Sequence, residues 1–289
     1  MTLGSVTLAG RPVARIGYGA MQLTHGGRVA PAAAVAVLRR AAESGVNHID
    51  TAWFYGAGAC NALIREALAP YPANLVLATK VGADNTADGA LSAAQRPEQL
   101  RAQVEANLAT LGVERLDVVN LRRLDFAPGL IAEGGQKVAL DDQLAELAAL
   151  REAGKIGGIG LSNVDVDQLR RALPAGIVCV QNSYSVLERA TAPVLEICRE
   201  QAIAWVPYFP LGSAFPGRPR VTENAAVRAV AHGLGVSPAQ VGLAWLLAHY
   251  ERTLLIPGTA DTAHLAQNIA AGELRLGAEA MARLDALAG

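Results

Sequence analysis

Sulfur, charge of a single sign and long apolar runs are all scarce in this sequence. Its 289 residues include three cysteines, Cys60, Cys179 and Cys198, far apart and without a CxxC pair or a neighbouring pair of histidines. That spacing excludes a zinc site and a disulfide framework. Basic and acidic side chains nearly cancel, 25 against 26, for a formal net charge of -1. A nucleic-acid partner shows itself as a basic excess or stripe, so none is expected. Apolar runs such as VGLAWLLA at 241–248 are far too short for a bilayer, and MTLGSVTLAGRPVARIG at the N-terminus has no basic stretch followed by an apolar one. The expectation is a cytoplasmic protein with no membrane partner. Lysine is scarce too: only Lys80, Lys137 and Lys155 stand beside 22 arginines, so a lysine ending an apolar strand is conspicuous.

What is present is apolar material in short, regular pieces. Hydrophobic residues make up 52% of the chain and charged residues 18%, the opposite of a disordered composition. SVTLAGRPVARIGYGAM alternates and breaks at Ala9-Gly10-Arg11-Pro12, which predicts a β-hairpin leading into a first buried strand near residues 16–20. Further strands are predicted at 46–50, 75–79, 116–121, 156–161, 177–181, 203–208 and 253–257. Each is short, β-branched and nearly continuously apolar, as strands buried on both faces are. Helical periodicity fills the intervals, and Gly45, Gly112 and Gly154 follow periodic segments, where a left-handed C-cap needs no β-carbon. Eight strand-helix units predict a single α/β domain over 1–289, a (β/α)8 TIM barrel with an N-terminal β-hairpin and extra C-terminal helices; such barrels need about 250 residues. A doubly wound open sheet, the rival, normally places GxGxxG after an early strand, whereas GYGAMQL has no third glycine and GGIGLSN comes too late.

Barrel chemistry gathers on the loops at the carboxyl ends of the strands. Asp50 follows VNHI with Tyr55 five residues on, Lys80 follows LVLAT and Arg122 follows VVNL, so neighbouring strands bring four polar side chains to one patch of rim. Singly each has an ordinary explanation: a turn cap, a packed loop ring, a cation reaching water. Together Asp50 and Lys80 satisfy one another, because a buried aspartate needs a cation and a buried lysine an anion. A lysine about 4 Å from Tyr55, at an effective dielectric of about 20, would favour the tyrosinate by about 4 kcal/mol. That draws Tyr55 from its ordinary pKa of about 10 toward neutral pH, where it serves as a general acid.

Asp50, Tyr55 and Lys80, with HIDTAWFYG, LATKVG, GIGLSN, VQNSYS, PYFPLG and LLIPGTADTAHLAQNIAA in this order, resemble the aldo/keto reductase superfamily, from Gly17 to the end of the chain. The resemblance implies an NADPH-dependent oxidoreductase on a (β/α)8 barrel, acting on a small carbonyl substrate and, like most of the family, monomeric. GYGAMQL, GVNHIDT, LDVVNLR, IVCVQN and FPLG are most similar to a bacterial branch that includes pyridoxal reductases, which makes pyridoxal a leading candidate substrate. One catalytic position departs from the family: its tetrad has a histidine where this chain has Arg122, in Leu121-Arg122-Arg123. Arginine brings up to five donors and a permanent charge, suited to orienting a carbonyl oxygen, without histidine's change of protonation state.

The resemblance also assigns cofactor positions, beginning with Gly19, Ala20 and Met21. Ser162, Asn163 and Gln181 match positions that bond the nicotinamide carboxamide, although Ser162 and Asn163 have a simpler reading as a cap for a helix starting near Val164. Tyr208 matches the ring that stacks on the nicotinamide, beside Phe209. Leu211, Gly212 and Ser213 match the loop over the pyrophosphate, where glycine admits close backbone approach. Ile256, Gly258, Thr259, His264, Gln267 and Asn268 match the segment near the adenosine and its 2'-phosphate. PGTADTAHLAQN holds Asp261 and no lysine or arginine, so NADH is a rival cofactor. Helix amides near Thr262 and Ala263, or Arg218 and Arg220, are the expected anion partners. Trp53, Phe54, Phe126, Phe209 and Phe215 are expected to roof the substrate pocket. His25, His48, His232 and His249 lack ligand spacing and are read as structural or surface residues, and no metal is expected.

Two other functions stay open. Lys80 at a strand end suits a Schiff-base lyase or aldolase, which Asp50 opposes by keeping the amine charged. Arg122 in the histidine's place suits a nicotinamide-sensing module without turnover.

Overall fold

A computed structural model describes residues 4–27, 29–127, 129–212 and 219–287. Strands β1 (Ser5–Leu8) and β2 (Arg11–Ala14) pair antiparallel at the start. Strand and helix then alternate through β3 (Tyr18–Gly19), α1 (Pro31–Glu43), β4 (His48–Asp50), α2 (Ala59–Leu68) and β5 (Val76–Val81). A small antiparallel hairpin, β6 (Ala83–Asn85) and β7 (Leu91–Ala93), precedes α3 (Pro97–Leu111), β8 (Leu116–Arg122), α4 (Leu140–Glu152) and β9 (Ile156–Ser162). The order continues with α5 (Val166–Ala172), β10 (Ile177–Gln181), α6 (Ala192–Glu200) and β11 (Ala204–Trp205). Four helices follow: α7 (Ala225–Leu234), α8 (Pro238–His249), α9 (Thr262–Ala270) and α10 (Ala278–Asp285). Proline opens α1, α3 and α8 at the first turn, where a missing N–H costs nothing. No single helix among the described residues is long and apolar enough to cross a membrane.

Seven strands form one parallel sheet in the order β11-β10-β9-β8-β5-β4-β3, curled as an α/β barrel. The eighth expected strand, 253–257, forms no ladder. Thr253 instead bridges Trp205 beside one edge of the sheet and Leu255 bridges Ile16 beside the other. The Leu254 amide donates to Trp205 O at 2.8 Å and the Gly17 amide to Leu255 O at 2.7 Å, so one segment meets both edges. Pro207 and Pro257 lack the N–H that would lengthen either pairing.

Strand alternation sorts side chains between two cores. Ile49, Leu77, Val119, Leu121 and Val180 face the helices. Val76, Ala78, Val118, Cys179, Ala204 and Leu254 fill the inside, with Val6, Leu8 and Val13 of the first hairpin packed into the same cluster. Two residues beyond Ala78, Val118 and Cys179, the same alternation carries Lys80, Asn120 and Gln181 inward at the carboxyl end. Register places Lys80 beside Asn120, Arg122 beside Ser162, and Ser162 beside Gln181.

Candidate active site

A cavity of about 1140 Å³ opens at that end, and Asp50, Tyr55, Lys80 and Arg122 all line it. Asp50 and Lys80 are only 2% and 5% exposed. Lys80 Nζ donates to Asp50 Oδ1, and to Thr51 O at 3.1 Å, while Gln181 Nε2 donates to Asp50 Oδ2 at 2.6 Å. Both carboxylate oxygens are therefore engaged. Burial works against the Lys80 charge, but Asp50 and Tyr55 together more than offset it and hold the ammonium above its ordinary pKa.

Tyr55 differs from the expectation. Lys80 Nζ lies 5.1 Å from the centroid of its ring. Burial pushes the phenol's pKa up, Lys80 pulls it down, Asp50 pushes it up again, and the net direction is upward. Burial outweighs the pull of the ammonium, which Asp50 partly offsets, so Tyr55 remains a phenol at neutral pH.

Adjacent arginines on β8 divide two tasks. Arg123 is buried and grips Asp125 through Nε and Nη2, both at 2.8 Å, while its Nη1 donates to Val138 O at 3.0 Å and to Gln143. Arg122 points to the other face of the strand and lines the cavity. Among the described residues its side chain has no hydrogen bond or ion pair, and its Nε is buried without a partner. Gln95 fixes its backbone by donating to Arg122 O at 2.8 Å and to Gly82 O at 2.6 Å, which ties the end of β8 to the end of β5. Gly82 has φ 107°, and a β-carbon there would lie 2.5 Å from Arg122 O.

The loop carrying Tyr55 is held from outside. Trp53 Nε1 donates to Asp84 Oδ1 at 3.0 Å, and the Ala57 amide donates to Asn85 Oδ1 at 3.1 Å, docking the loop on the β6–β7 hairpin. Phe54 lines the cavity as expected of a pocket residue; Trp53 and Phe126 do not, because Trp53 is turned to Asp84. Sequence reasoning missed the hairpin, whose Asn85, Thr86, Gly89 and Leu91 form part of the wall, and it left His25, which also lines the cavity, among structural or surface residues. The turn signal was Asp88-Gly89, with Gly89 at φ 83°.

Gly19, Met21, Tyr208, Phe209, Leu211, Gly212, Ile256, Gly258 and Asn268 line the same cavity, and Ala20 is buried next to Gly19. A β-carbon on Gly19 would lie 2.4 Å from Ile256 O, and one on Gly258 would lie 2.4 Å from Gly19 O, so this corner requires both glycines. Ser162 Oγ and Gln181 Oε1 are buried without partners. Ser162, Asn163 and Gln181 are not among the residues lining the cavity; they are buried just behind its wall. The capping alternative for Ser162 and Asn163 is removed: α5 is capped by Asp165, whose carboxylate accepts from the Gln168 amide at 2.8 Å. Asn163 has φ 59°; its Nδ2 donates to Arg123 O at 3.2 Å and Phe126 O at 3.1 Å, and its Oδ1 accepts from the Tyr208 hydroxyl at 3.1 Å. It steadies the Tyr208 ring.

The adenosine-side expectations fare differently. Asp261 caps α9, accepting from the Ala263 amide at 2.7 Å and the His264 amide at 2.9 Å, which also lower its pKa. Of the amides proposed from sequence for an anion, that of Ala263 is thus in use. Thr259 O accepts from the Tyr18 hydroxyl, and His264 and Gln267 are exposed outside the cavity lining. Arg220 pairs with Glu223 at 3.0 Å. Ser213, Phe215 and Arg218 lie outside the described residues. Among the described residues no group of three or more His, Cys, Asp or Glu is placed to hold a metal ion.

The family model described as aldo/keto reductase matches residues 15–288. A pyridoxine 4-dehydrogenase of Escherichia coli strain K12 is 41% identical over 292 aligned residues, covering 99% of this chain and 99% of that one. A probable aldo-keto reductase of Glycine max is 30% identical, covering 92% of this chain and 83% of that one. Among solved structures, an aldo-keto reductase from Klebsiella pneumoniae in complex with NADPH gives a TM-score of 0.82 at 24% identity, covering 99% of this chain and 95% of that one. A glycerol dehydrogenase from Gluconobacter oxydans gives 0.83 at 20% identity, with 99% and 95% covered. At these identities the structural likeness speaks for the fold.

Proposed function

The chain belongs to the aldo/keto reductase family, and on that premise we propose that it reduces a small aldehyde to an alcohol with NADPH, pyridoxal being the leading substrate. The observation that carries this reading is the convergence of Asp50, Tyr55, Lys80 and Arg122 on one cavity, close in register to two unpartnered buried atoms, Ser162 Oγ and Gln181 Oε1. Support for pyridoxal comes from the Escherichia coli relative, and support for NADPH from the Klebsiella pneumoniae complex.

A bound reduced nicotinamide supplies the hydride, and the protein supplies position, electrostatics and a proton. Gln181 Oε1, an acceptor, and Ser162 Oγ, a donor, would hold the carboxamide of the nicotinamide and so find partners. Gln181 thereby links the cofactor to Asp50, to which its Nε2 already donates. Tyr208, steadied by Asn163, would offer its ring face to the nicotinamide, and Leu211 and Gly212 would offer backbone to the pyrophosphate. Tyr55 stays protonated at neutral pH and donates its proton to the substrate oxygen as negative charge develops there. Arg122 donates N–H bonds to that oxygen and stabilises the same charge. The tyrosinate left behind is held by the fields of Lys80 and Arg122, the cations that pull its pKa down, until solvent restores the proton. Asp50 keeps Lys80 charged, which removes support from a Schiff-base role for that lysine.

NADH is a second reading, favoured by the Asp261 carboxylate at the α9 amides. Both cofactors are tested by following their oxidation with pyridoxal and with benzaldehyde, using wild type and Tyr55→Phe. The expected result is faster turnover of pyridoxal, with Tyr55→Phe lowering kcat by about 10²–10⁴-fold while cofactor Kd is kept. Unchanged turnover in Tyr55→Phe would remove the assignment of the acid. Equal slow rates on the two aldehydes would remove pyridoxal.

A further inference from the structure

The buried face of α3 carries Leu100, Val104, Leu108 and Leu111, as a helix packed on a sheet should. Gln103 and Asn107 interrupt it, one helical turn apart and almost fully buried. Asn61 of α2, Thr51 after β4 and Thr79 on β5 are buried with them, and none of the five lines the cavity. Polar groups out of water cost free energy unless each is hydrogen-bonded, and an apolar set of the same shape would be nearly as stable. Among the described residues no buried atom of these five side chains is left without a partner. What such a set adds over apolar packing is fixed position.

Thr51 Oγ1 donates to Asn61 Oδ1 at 2.9 Å, and Asn61 Nδ2 donates to Asn107 Oδ1 at 2.8 Å. Thr79 Oγ1 donates to that same Asn107 oxygen at 2.7 Å, which fills both its lone pairs. Thr51 follows Asp50 and Thr79 precedes Lys80, so alternation turns the threonines to the helices and the ion pair to the cavity. The Lys80–Asp50 bond inside and the Thr51–Asn61–Asn107–Thr79 bonds outside thus close one ring around the ends of β4 and β5. Asn107 Nδ2 donates to Gln103 O at 2.7 Å. Gln103 in turn accepts from the Gly82 amide and donates to Ala83 O, both at 2.8 Å, and holds the chain just beyond Lys80.

We propose that Asn107 is a positioning residue for reduction, the outer junction that sets the spacing of Asp50 and Lys80, and with it the cationic field at Tyr55, without touching substrate or cofactor. This rests on the reductase reading above and adds a residue to it. As Tyr55 passes its proton to the new alcohol oxygen, negative charge appears on the phenol oxygen, and an ammonium already held in place stabilises it with no rearrangement. Slack in the ring lets Lys80 and Asp50 drift apart. Proton transfer then slows, while substrate and cofactor bind as before.

The test measures kcat and KM for pyridoxal, cofactor Kd with NADPH, and melting temperature in wild type, Asn107→Leu, Thr79→Val, Thr79→Ser and Tyr250→Phe. Thr79→Val keeps the shape and removes one donor, so kcat is expected to fall about tenfold with KM and cofactor Kd within about twofold of wild type. Thr79→Ser should restore most of the rate. Asn107→Leu opens the ring at its junction and should lose more; should it not fold, Thr79→Val carries the test. Tyr250→Phe removes buried bonds to Cys198 O and Ile203 O away from the cavity, and should lower the melting temperature while keeping kcat. Wild-type kcat in Thr79→Val would overturn the proposal, as would an equal loss of kcat in Tyr250→Phe. A second readout needs no turnover. With three lysines in the chain, lysine isotope-labelled at Cε gives three NMR resonances, and Lys137→Arg and Lys155→Arg leave that of Lys80 identified. Its titration should move to lower pH in Thr79→Val and return in Thr79→Ser, because a carboxylate no longer held against the ammonium offsets less of its burial. An unmoved Lys80 titration would overturn the proposal even in a protein that reduces nothing. A wild type without turnover whose Thr79→Val variant shows the shift would remove the reductase reading and support the positioning of the pair by Asn107.

Discussion

At Tyr55 burial and Asp50 oppose two cations, and the upward balance sets when the residue can act. Reduction requires the protonated phenol, and a pKa raised above its ordinary value moves loss of that form to higher pH. The kcat/KM for aldehyde reduction is therefore expected to hold through neutral pH and to fall only above pH about 10. Alcohol oxidation needs the tyrosinate and should rise toward the same limit. A descending limb near pH 7 for reduction would show that the cations prevail over burial. Asp50, Lys80 and Arg122 were legible in the sequence because each polar side chain ends an apolar strand. The proton on Tyr55 was not, because pairwise attraction can be written down from a motif while desolvation depends on everything packed around it. Arg122 and Arg123 look alike in LRR, and strand alternation alone separates the cavity residue from the one that grips Asp125.

Elements that are buried on both faces could be read from their apolar runs, and β10 lies at 177–181 as expected. Elements whose existence depends on partners could not. The β6 and β7 strands are three residues each and mostly unburied, so no apolar run announces them. Segment 253–257 is apolar enough for a strand but meets only two residues of β11 on one side and a proline at its end. Helix starts were legible where Asp165 stands three residues before Gln168; this pattern, present in the sequence, would have identified the cap of α5 and freed Ser162 for a ligand. The β6–β7 hairpin also makes a mechanical prediction. Asp84→Ala removes the acceptor of Trp53 Nε1 at a distance from the reacting atoms, and the Tyr55 loop should lose its register. The expected outcome is a fall in kcat of about tenfold to a hundredfold with cofactor Kd unchanged, measured by steady-state kinetics and cofactor titration. An unaltered kcat would show that the loop holds itself.

Across the whole molecule, a nearly neutral chain puts at Arg122 a cavity charge that no carboxylate among the described lining residues balances, a feature that net charge conceals. The interior below the rim is apolar and filled, with the first hairpin packed at its far end, so the proposed chemistry is confined to the carboxyl side, where strand ends and the loop after β4 bring Asp50, Tyr55, Lys80 and Arg122 to the cavity. Scarcity of lysine in composition led to Lys80; scarcity of a basic group near Asp261 left the cofactor's phosphate to experiment. The account's central claim is direct hydride delivery to an aldehyde with the proton coming from Tyr55. Reduction of pyridoxal in ordinary water with NADPH deuterated at one face of nicotinamide C4 tests it most directly. Deuterium from one face alone should appear on the carbinol carbon of pyridoxine, with no solvent hydrogen added there and product forming about 10²–10⁴-fold more slowly with Tyr55→Phe. Pyridoxine without deuterium from either face, or product formed as readily by Tyr55→Phe, would contradict the account.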